Sequence, residues 1–347
     1  MSSFCVVPFY SQENSQYQVT PCCLLTGPLN IPKLQQEFLD GGRPTECQKC
    51  WSVENVGGLS RRQINNQSIL YRYNCTEDEI IEDCRQGKNK IILYQITTSN
   101  LCDQACVTCS SYLSTKWAEV EHRAGIKPKS FFQADLDAIN INYADAYRIG
   151  FVGGEPFFDP TTFKILRRLI EYNNRDVAVT FTTNGGSKFN EQQLELVKQF
   201  KHVGIIISID GIGSVFEYMR WPGRWDRLIS NLQDYQTISN VKVSYTVSSV
   251  NAWYYNQTTA WFEENNLEVV NLNPVYHPTW CSLNSMPVKL KQVIKNQNNK
   301  LSEFCEITGQ EISIETFITH IKNQDQVRGT SIEQSMPEFW AVLQSLR

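Results

Sequence analysis

The chain has no long apolar run and no excess of basic residues. Its 347 residues carry a formal net charge of -4, and no stretch approaches the roughly 18 apolar residues that a membrane-spanning helix requires. The weak negative charge argues against nucleic-acid binding as the main function, because such surfaces need clustered lysine and arginine. Neither a membrane nor a nucleic acid is therefore an expected partner.

Several familiar sequence signatures are also missing. There is no internal repeat, no low-complexity tract, no Walker phosphate-binding loop and no GxSxG nucleophile motif. Residues 1–20 lack a basic start followed by an apolar stretch that ends in small residues, so no signal peptide is expected. We therefore expect a cytoplasmic protein whose thiols are reduced and available to metals.

Cysteine, in contrast, is plentiful, with 12 residues. Cys102, Cys106 and Cys109 form a CxxxCxxC pattern just after the apolar run 91–96, which predicts a buried strand. Thiolates at this spacing can hold three irons of a 4Fe-4S cluster and leave the fourth iron open for a small molecule. A zinc site is the main alternative, because zinc also binds clustered cysteines, usually in CxxC pairs. Packing in a core is disfavoured, since the loop is polar.

Between residues 88 and 288, short apolar β-branched runs alternate with longer amphipathic stretches. Such alternation predicts an α/β fold built from parallel βαβ units. Six units would form a partial (β/α)6 barrel that resembles part of a TIM barrel, with functional residues at the carboxyl ends of the strands. The predicted strands are 91–97, 147–152, 177–182, 203–209, 241–247 and 267–272.

The chain is expected to divide into three parts, because it exceeds the usual single-domain length of roughly 100 to 200 residues. Residues 1–87 form a small cysteine-rich region that ends in an acidic stretch, and residues 88–288 form the barrel. Residues 289–347 are polar with amphipathic helical periods. Their helices are expected to close the open side of the barrel, with a surface for a peptide or carrier partner as the alternative.

Two short polar motifs directly follow the second and third predicted strands, and a third lies at the end of the fourth. They are Gly153-Gly154-Glu155-Pro156, Thr183-Asn184-Gly185 and Ser208-Ile209-Asp210-Gly211. A glycine pair lets backbone approach a ligand closely, and the Glu155 carboxylate can accept a hydrogen bond from an ammonium group. Each motif alone is an ordinary turn sequence. Together they are expected to meet the cysteine loop at one edge of the barrel.

In this order, the cysteine motif, GGEP and SxDG resemble the core of the radical S-adenosylmethionine (SAM) enzymes over residues 88–288. The resemblance implies that Cys102, Cys106 and Cys109 bind a 4Fe-4S cluster whose open iron is chelated by SAM. Electrons would come from an external one-electron donor such as flavodoxin or ferredoxin. The cluster would cleave SAM to a 5'-deoxyadenosyl radical that takes hydrogen from a substrate.

The same resemblance implies a SAM-binding set at the strand ends. Gly153, Gly154 and Glu155 would hold the methionine amino group. The ribose or the carboxylate of SAM would be met by Asn184, Ser208, Asp210 and Arg220. The sequence departs from the family at Thr108, where an aromatic residue usually precedes the third cysteine near the adenine, and Tyr112 or Phe151 is the expected substitute.

A second cysteine set lies near the start of the chain. Cys5, Cys22, Cys47 and Cys50 can supply four thiolates to a second iron-sulfur cluster or to zinc, with Cys23 as the alternative to Cys22. This region resembles the auxiliary-cluster module called a twitch or SPASM-like domain, which in better-known enzymes follows the barrel and here precedes it. The other cysteines are expected to be structural thiols: Cys75, Cys84, Cys281 and Cys305.

The sequence leaves the substrate open. The resemblance favours a peptide that is dehydrogenated, crosslinked or similarly modified, and a sugar or nucleotide is the alternative. Two non-catalytic classes also remain, namely a zinc-stabilised binding module and an iron-sulfur sensor.

Overall fold

A mostly parallel sheet forms the centre of the protein. The computed structural model describes residues 2–15, 18–25, 29–55, 59–297, 301 and 311–347. The sheet has eight strands in this part of the chain, in the order β2-β1-β3-β4-β5-β6-β7-β8. The strands are β1 (Ser11–Asn14), β2 (Val19–Thr20), β3 (Leu93–Thr97), β4 (Arg148–Val152), β5 (Ala178–Thr183), β6 (His202–Ser208), β7 (Lys242–Val247) and β8 (Glu268–Pro274).

Helices connect the strands and extend both ends of the chain. None of the described helices is long and apolar enough to cross a membrane. The helices are α1 (Val7–Tyr10), α2 (Ile31–Leu39), α3 (Gln48–Asn55), α4 (Arg61–Tyr73), α5 (Glu77–Arg85), α6 (Thr115–Arg123), α7 (Leu136–Ile139), α8 (Pro160–Glu171), α9 (Glu191–Val197), α10 (Ser214–Met219), α11 (Trp225–Gln236), α12 (Tyr255–Glu264), α13 (Val288–Asn296), α14 (Ile314–Arg328), α15 (Ile332–Ser335) and α16 (Pro337–Ser345).

The six strands β3 to β8 confirm the predicted α/β partial barrel. Each predicted strand is present with its ends shifted by at most two residues, and each neighbouring pair is parallel. Local signals explain where the helices begin. The side chain of Asp159, for example, accepts a hydrogen bond from the Thr161 N–H, and Pro160 occupies the first turn of α8.

The two faces of the barrel sheet differ in burial. On β4, Ile149 and Phe151 are completely buried against the helices. Gly150 and Val152 lie on the opposite face and are partly exposed, because successive residues of a strand point to opposite sides. Strand β5 shows the same alternation. The helix side is therefore a packed core, and the inner face of the barrel stays accessible.

The N-terminal region continues the same sheet. Strand β1 pairs in parallel with β3, and β2 pairs antiparallel with β1. Helices α1 to α5 surround a second hydrophobic cluster that includes Phe38, Trp51 and Ile69, and Leu93 of β3 also belongs to it. The sequence did not predict β1 or β2. A separate domain over residues 1–87 remains a prediction, although its sheet is shared with the barrel.

The C-terminal helices pack beside the cysteine loop. Helix α14 contacts α6, and α15 contacts α10. Phe317 and Ile321 of α14, together with Phe339 of α16, are completely buried in the main core. Helices α14 and α16 are therefore joined to the barrel core through a few buried apolar side chains.

Replacing Phe181 by alanine should destabilise the barrel by about 3–5 kcal/mol, the usual range for a buried phenylalanine. Phe181 is completely buried and packs on Phe151, Phe157 and Phe189 at ring-centroid distances of 5.4, 5.5 and 5.4 Å. Urea unfolding followed by circular dichroism measures the change. Phe131→Ala is the matched control, because the Phe131 side chain is 59% exposed. Equal losses in both variants would contradict this assignment of the core.

Candidate functional site

The three cysteines of the CxxxCxxC motif lie on a half-buried loop directly after β3. The start of α6 holds this loop. The Cys102 N–H donates to Thr115 Oγ1 at 3.1 Å, and the Thr115 hydroxyl donates to the Cys102 carbonyl at 3.0 Å. The indole of Trp117 donates to the Cys106 carbonyl at 2.8 Å. Side chains at the start of α6 therefore hold the backbone of the cysteine loop in place.

A second segment runs along the other side of the cysteine loop. The Ala105 N–H donates to the Trp221 carbonyl at 2.6 Å, and the Val107 N–H donates to the Met219 carbonyl at 2.8 Å. Met219 is the last residue of α10 and Trp221 follows it, and α10 lies after the Ser208 to Gly211 motif. The pairing brings the Met-Arg-Trp-Pro segment, residues 219–222, next to the second cysteine.

Burial raises the pKa of all three thiols in this loop. It raises the pKa of Cys109 to about 12. Near Cys106, burial has the largest effect, while Arg220 and Arg328 act in the opposite direction. Thiolate rather than thiol is the metal ligand, so binding of a positively charged metal group would release protons from these cysteines.

The spacing of the side chains bears on which metal group fits. Among the described residues, no group of three or more His, Cys, Asp or Glu side chains is close enough to hold a single metal ion. Three cysteine thiols on one half-buried loop are a donor set that fits three irons of a 4Fe-4S cluster, because such a cluster binds each thiolate at a different iron.

The Gly153-Gly154 turn presses the end of β4 against the cysteine loop. Both glycines have positive φ, 77° and 49°. A Cβ on Gly154 would lie 2.5 Å from the Leu101 carbonyl oxygen, and one on Gly153 would collide with the Thr97 side chain. The glycines are therefore required by close packing within the chain. The next N–H, that of Glu155, donates to the same Leu101 carbonyl at 2.7 Å.

Glu155 is 1% exposed and links three strand ends. Its carboxylate accepts hydrogen bonds from the Asn184 N–H at 2.7 Å, the Thr183 hydroxyl at 2.9 Å and the Phe157 N–H at 3.2 Å. Burial raises the pKa of Glu155 to about 7, although these hydrogen bonds act in the opposite direction, and the nearby Asp103 adds a smaller upward effect.

Asp210 and Arg220 form a buried ion pair, with 2.8 Å between Asp210 Oδ2 and Arg220 Nε. Asp210 Oδ1 also accepts from the Thr246 N–H at 2.9 Å. Burial acts to lower the pKa of Arg220, but Asp210 and Cys106 together outweigh this effect. The pKa of Arg220 is therefore raised above its ordinary value. Arg220 Nη1 lies 4.0 Å from the Cys106 sulfur, so the pair sits beside the cysteine loop.

Asn184 brings the end of β5 to the first cysteine. Its amide donates to Asp103 Oδ1 at 2.7 Å and lies 3.7 Å from the Cys102 sulfur. Ser208 ends β6 on the inner face, half-buried and in register with Ser244 of β7. The structure thus gathers the predicted rim residues at one end of the barrel, with direct contacts to the cysteine loop from the ends of β4 and β5 and from the segment after α10.

Several residues of the site were not found by sequence reasoning. Asp103 lies within the cysteine loop and could have been noticed there. Asn251 is completely buried and donates to the carbonyls of Asp210 and Thr246 at 2.8 and 2.9 Å, and its sequence surroundings carry no signal. Gln324 and Arg328 of α14, far away in the chain, also reach this region.

Phe151 and Tyr112, the expected substitutes for the aromatic residue that Thr108 replaces, lie in different surroundings. Phe151 is completely buried on the helix side, stacked on Phe181, so its ring faces away from the inner face. The Tyr112 side chain is 39% exposed, and Lys129 Nζ lies 4.6 Å from its ring centroid. Of the two, Tyr112 alone stays accessible.

The second cysteine set surrounds a small cavity of about 30 Å³ between α1, α2 and α3. Its walls include Cys5, Cys22, Cys47 and Cys50, together with Arg61 and Arg62. Burial raises the pKa of Cys47 to about 12 and raises that of Cys5 as well, while Arg62 acts in the opposite direction on both.

Cys22 and Cys23 occupy different surroundings. Cys22 lines the four-cysteine cavity, whereas Cys23 is directed to the Glu13 carboxylate, to which it donates hydrogen bonds. This difference favours Cys22 as the fourth thiol. Of the cysteines expected to be structural, Cys84 and Cys281 are buried and Cys75 is half-buried, while Cys305 lies outside the described residues.

A scan against protein-family models and a comparison with curated proteins find no match. Among solved structures, anSMEcpe with bound AdoMet is similar at 16% identity and a TM-score of 0.45, over 65% of each chain. SuiB of Streptococcus suis bound to S-adenosylmethionine is similar at 14% identity and a TM-score of 0.44, over 70% of this chain and 58% of SuiB. Because these TM-scores are low, the function is argued from this chain's own residues.

The raised pKa of Glu155 predicts a pH-dependent stability for the metal-free protein. Below pH 4.5 the Glu155 carboxyl is protonated in both the folded and the unfolded state, and its contribution to the free energy of unfolding is fully present. This contribution is lost as the pH rises through about 7, the pKa of Glu155 in the folded state. Glu155→Gln removes this titration. We therefore expect the variant to gain stability relative to the wild type, by about 3 kcal/mol between pH 4.5 and 8.

Urea unfolding at pH 5, 6, 7 and 8 measures the difference. Glu264→Gln, at an exposed position near the end of α12, is the matched control and should follow the wild type at every pH. Parallel pH profiles for the wild type and Glu155→Gln would show that the buried carboxyl is not the titrating group.

Proposed function

We propose that the protein is a radical SAM enzyme that binds a 4Fe-4S cluster through Cys102, Cys106 and Cys109. One observation carries the proposal. Three separate parts of the barrel touch this cysteine loop: Gly154 meets Leu101, Asn184 meets Cys102, and Arg220 meets Cys106. An inert structural loop needs no such convergence of buried polar groups, which is typical of a site built around a ligand.

The donor set fits the cluster. Three cysteines on one half-buried loop leave one iron of the cluster for SAM. These cysteines would hold a cluster that, once reduced, would supply one electron to SAM, so that its carbon-sulfur bond would break into methionine and a 5'-deoxyadenosyl radical able to take a hydrogen atom from the substrate. Flavodoxin or ferredoxin is the proposed class of electron donor.

The rim residues would position SAM. Glu155 is proposed to meet the methionine ammonium, with the backbone of Gly153 and Gly154 alongside. A neighbouring ammonium favours the ionised carboxylate, so SAM would lower the pKa of Glu155 from about 7. Glu155 Oε2 has one hydrogen bond, from the Asn184 N–H, and a carboxylate oxygen can accept more than one.

Asn184, Ser208 and the Asp210–Arg220 pair are proposed to face the ribose or the carboxylate of SAM. Arg220 is held by Asp210 at 2.8 Å, so its guanidinium is already oriented next to Cys106. A bidentate guanidinium suits a carboxylate. Asn251 fixes this pair indirectly by binding the backbone of Asp210.

The substrate is proposed to lie on the inner face of the barrel. This face carries partly exposed polar side chains such as Thr180, Thr182 and Thr246, which can hydrogen-bond an extended peptide. We therefore propose a peptide substrate that is dehydrogenated, crosslinked or similarly modified. The radical would be generated at one end of the face, next to the cysteines.

A sugar or nucleotide is the second candidate, and one pair of residues favours a phosphate-bearing one. Arg148 lies on the inner face of β4 and bonds to the neutral Asn65 side chain. Burial lowers the pKa of Arg148, and the nearby Arg61 lowers it further. Two neighbouring guanidinium groups with a single carboxylate, Glu13, on Arg61 can bind a phosphate.

We also propose a metal centre at Cys5, Cys22, Cys47 and Cys50. Four thiols line one cavity there, and four cysteine ligands suit an auxiliary iron-sulfur cluster, with zinc as the alternative. Arg61 lines this cavity and also donates to Gln95 of β3 at 3.4 Å. The centre would therefore border the first barrel strand.

Anaerobically reconstituted protein should release 5'-deoxyadenosine from SAM when a strong reductant is present. Cys106→Ala should reduce this release to the level of reductant and SAM alone, because the cluster loses one of its three thiolates. Cys75→Ala is the matched control and should retain full release. Mass spectrometry measures the product. An iron-loaded wild type that releases none would favour the iron-sulfur sensor instead.

Iron content should separate the two metal centres. The wild type should bind about eight irons per chain, and Cys50→Ala about four, because a cluster of four irons is lost with its ligand. Inductively coupled plasma mass spectrometry measures iron and zinc together. If the wild type holds about four irons and one zinc, the N-terminal centre is a zinc site; if Cys50→Ala keeps all its iron, these thiols hold no cluster.

A further inference from the structure

Arg328, the last residue of α14, is a buried cation with unused hydrogen-bond donors. It is 1% exposed. Its Nη2 donates to the Tyr218 carbonyl, and its Cζ lies 5.1 Å from the centre of the Tyr218 ring. The Nε and Nη1 atoms have no hydrogen-bond partner in the described part of the chain. Buried donors of this kind are costly when unpaired.

Helix α14 places this guanidinium beside the cysteine loop. One turn before Arg328, the Gln324 amide donates to the Val107 carbonyl at 2.8 Å. Val327 packs on the small apolar cluster that Cys109 also contacts. Helix α14 therefore contacts the segment between Cys106 and Cys109 through Gln324 and Val327.

The carboxylates near Arg328 are already occupied. Asp325 accepts from the Thr330 hydroxyl at 2.6 Å and from the Ile332 N–H at 2.9 Å, and no carboxylate in the described ranges forms an ion pair with Arg328. Asp210 is paired with Arg220. Burial lowers the pKa of Arg328, and Tyr218, Cys106 and Asp325 offset this only in part. An arginine nevertheless stays charged in a protein.

We propose that Arg328 is a positioning residue whose positive charge faces the cluster held by Cys102, Cys106 and Cys109 and raises its reduction potential. This inference rests on the proposed cluster. Reduction transfers one electron from the external donor to the cluster and adds one negative charge. A nearby cation stabilises that charge strongly in a poorly hydrated interior. The missing partner of Arg328 is then the cluster with its thiolates.

The midpoint potential of the cluster tests this role. Arg328→Gln removes the charge but keeps an amide donor for the Tyr218 carbonyl, and it should shift the reduction equilibrium by about tenfold, or about 59 mV to more negative potential for one electron. Arg328→Lys keeps the charge and should stay near the wild type. Lys322→Gln removes an exposed charge from the same helix, where Lys322 pairs with Glu333, and should have no effect.

The measurement is an anaerobic redox titration without SAM, followed by electron paramagnetic resonance, on full-length protein of known iron content. An unchanged potential in Arg328→Gln at full iron loading would overturn the inference and leave the cluster standing. A wild type that shows no 4Fe-4S signal would overturn the proposed function and this inference with it. If Arg328→Gln folds poorly, Arg328→Met gives the same change of charge and the same two outcomes.

Discussion

The contact between the Gly153-Gly154 turn and the backbone before Cys102 is the constraint on which the rest of the site depends. It allows no side chain at either position, because a Cβ there would enter the Thr97 side chain or the Leu101 carbonyl. The contact ties the end of β4 to the end of β3. Glu155 follows at once, and its buried carboxylate then ties both to the end of β5 through the backbone of Asn184. The Gly153-Gly154 turn and the Glu155 carboxylate therefore fix the ends of three strands, β3, β4 and β5.

The barrel was predictable because its strands are short β-branched runs buried on the helix side, and this pattern is local. Strand β1 shows the opposite case. Its sequence, Ser11 to Asn14, is polar and has no strand signal, yet it pairs with β3 over four residues. Its conformation comes from the free edge that β3 offers, since strand formation depends strongly on context.

The site was predictable wherever its chemistry lies in one motif. Cys102, Cys106 and Cys109 are such a case, and so are the glycines before Glu155. The ion pair between Asp210 and Arg220 joins two residues whose contact the sequence does not predict. Arg328 lies 110 residues from its partner Tyr218, and no local pattern marks a contact of that kind. Long-range polar contacts are therefore the part that only three-dimensional structure supplies.

The pairing of β1 with β3 has a consequence for how the chain can be divided. A barrel cut free at residue 88 would expose the edge of its first strand, with unpaired N–H and C=O groups beside apolar Leu93 and Ile96. Such an edge is a template for aggregation. The N-terminal residues thus cover this edge, and removing them would leave β3 open to pairing with another chain.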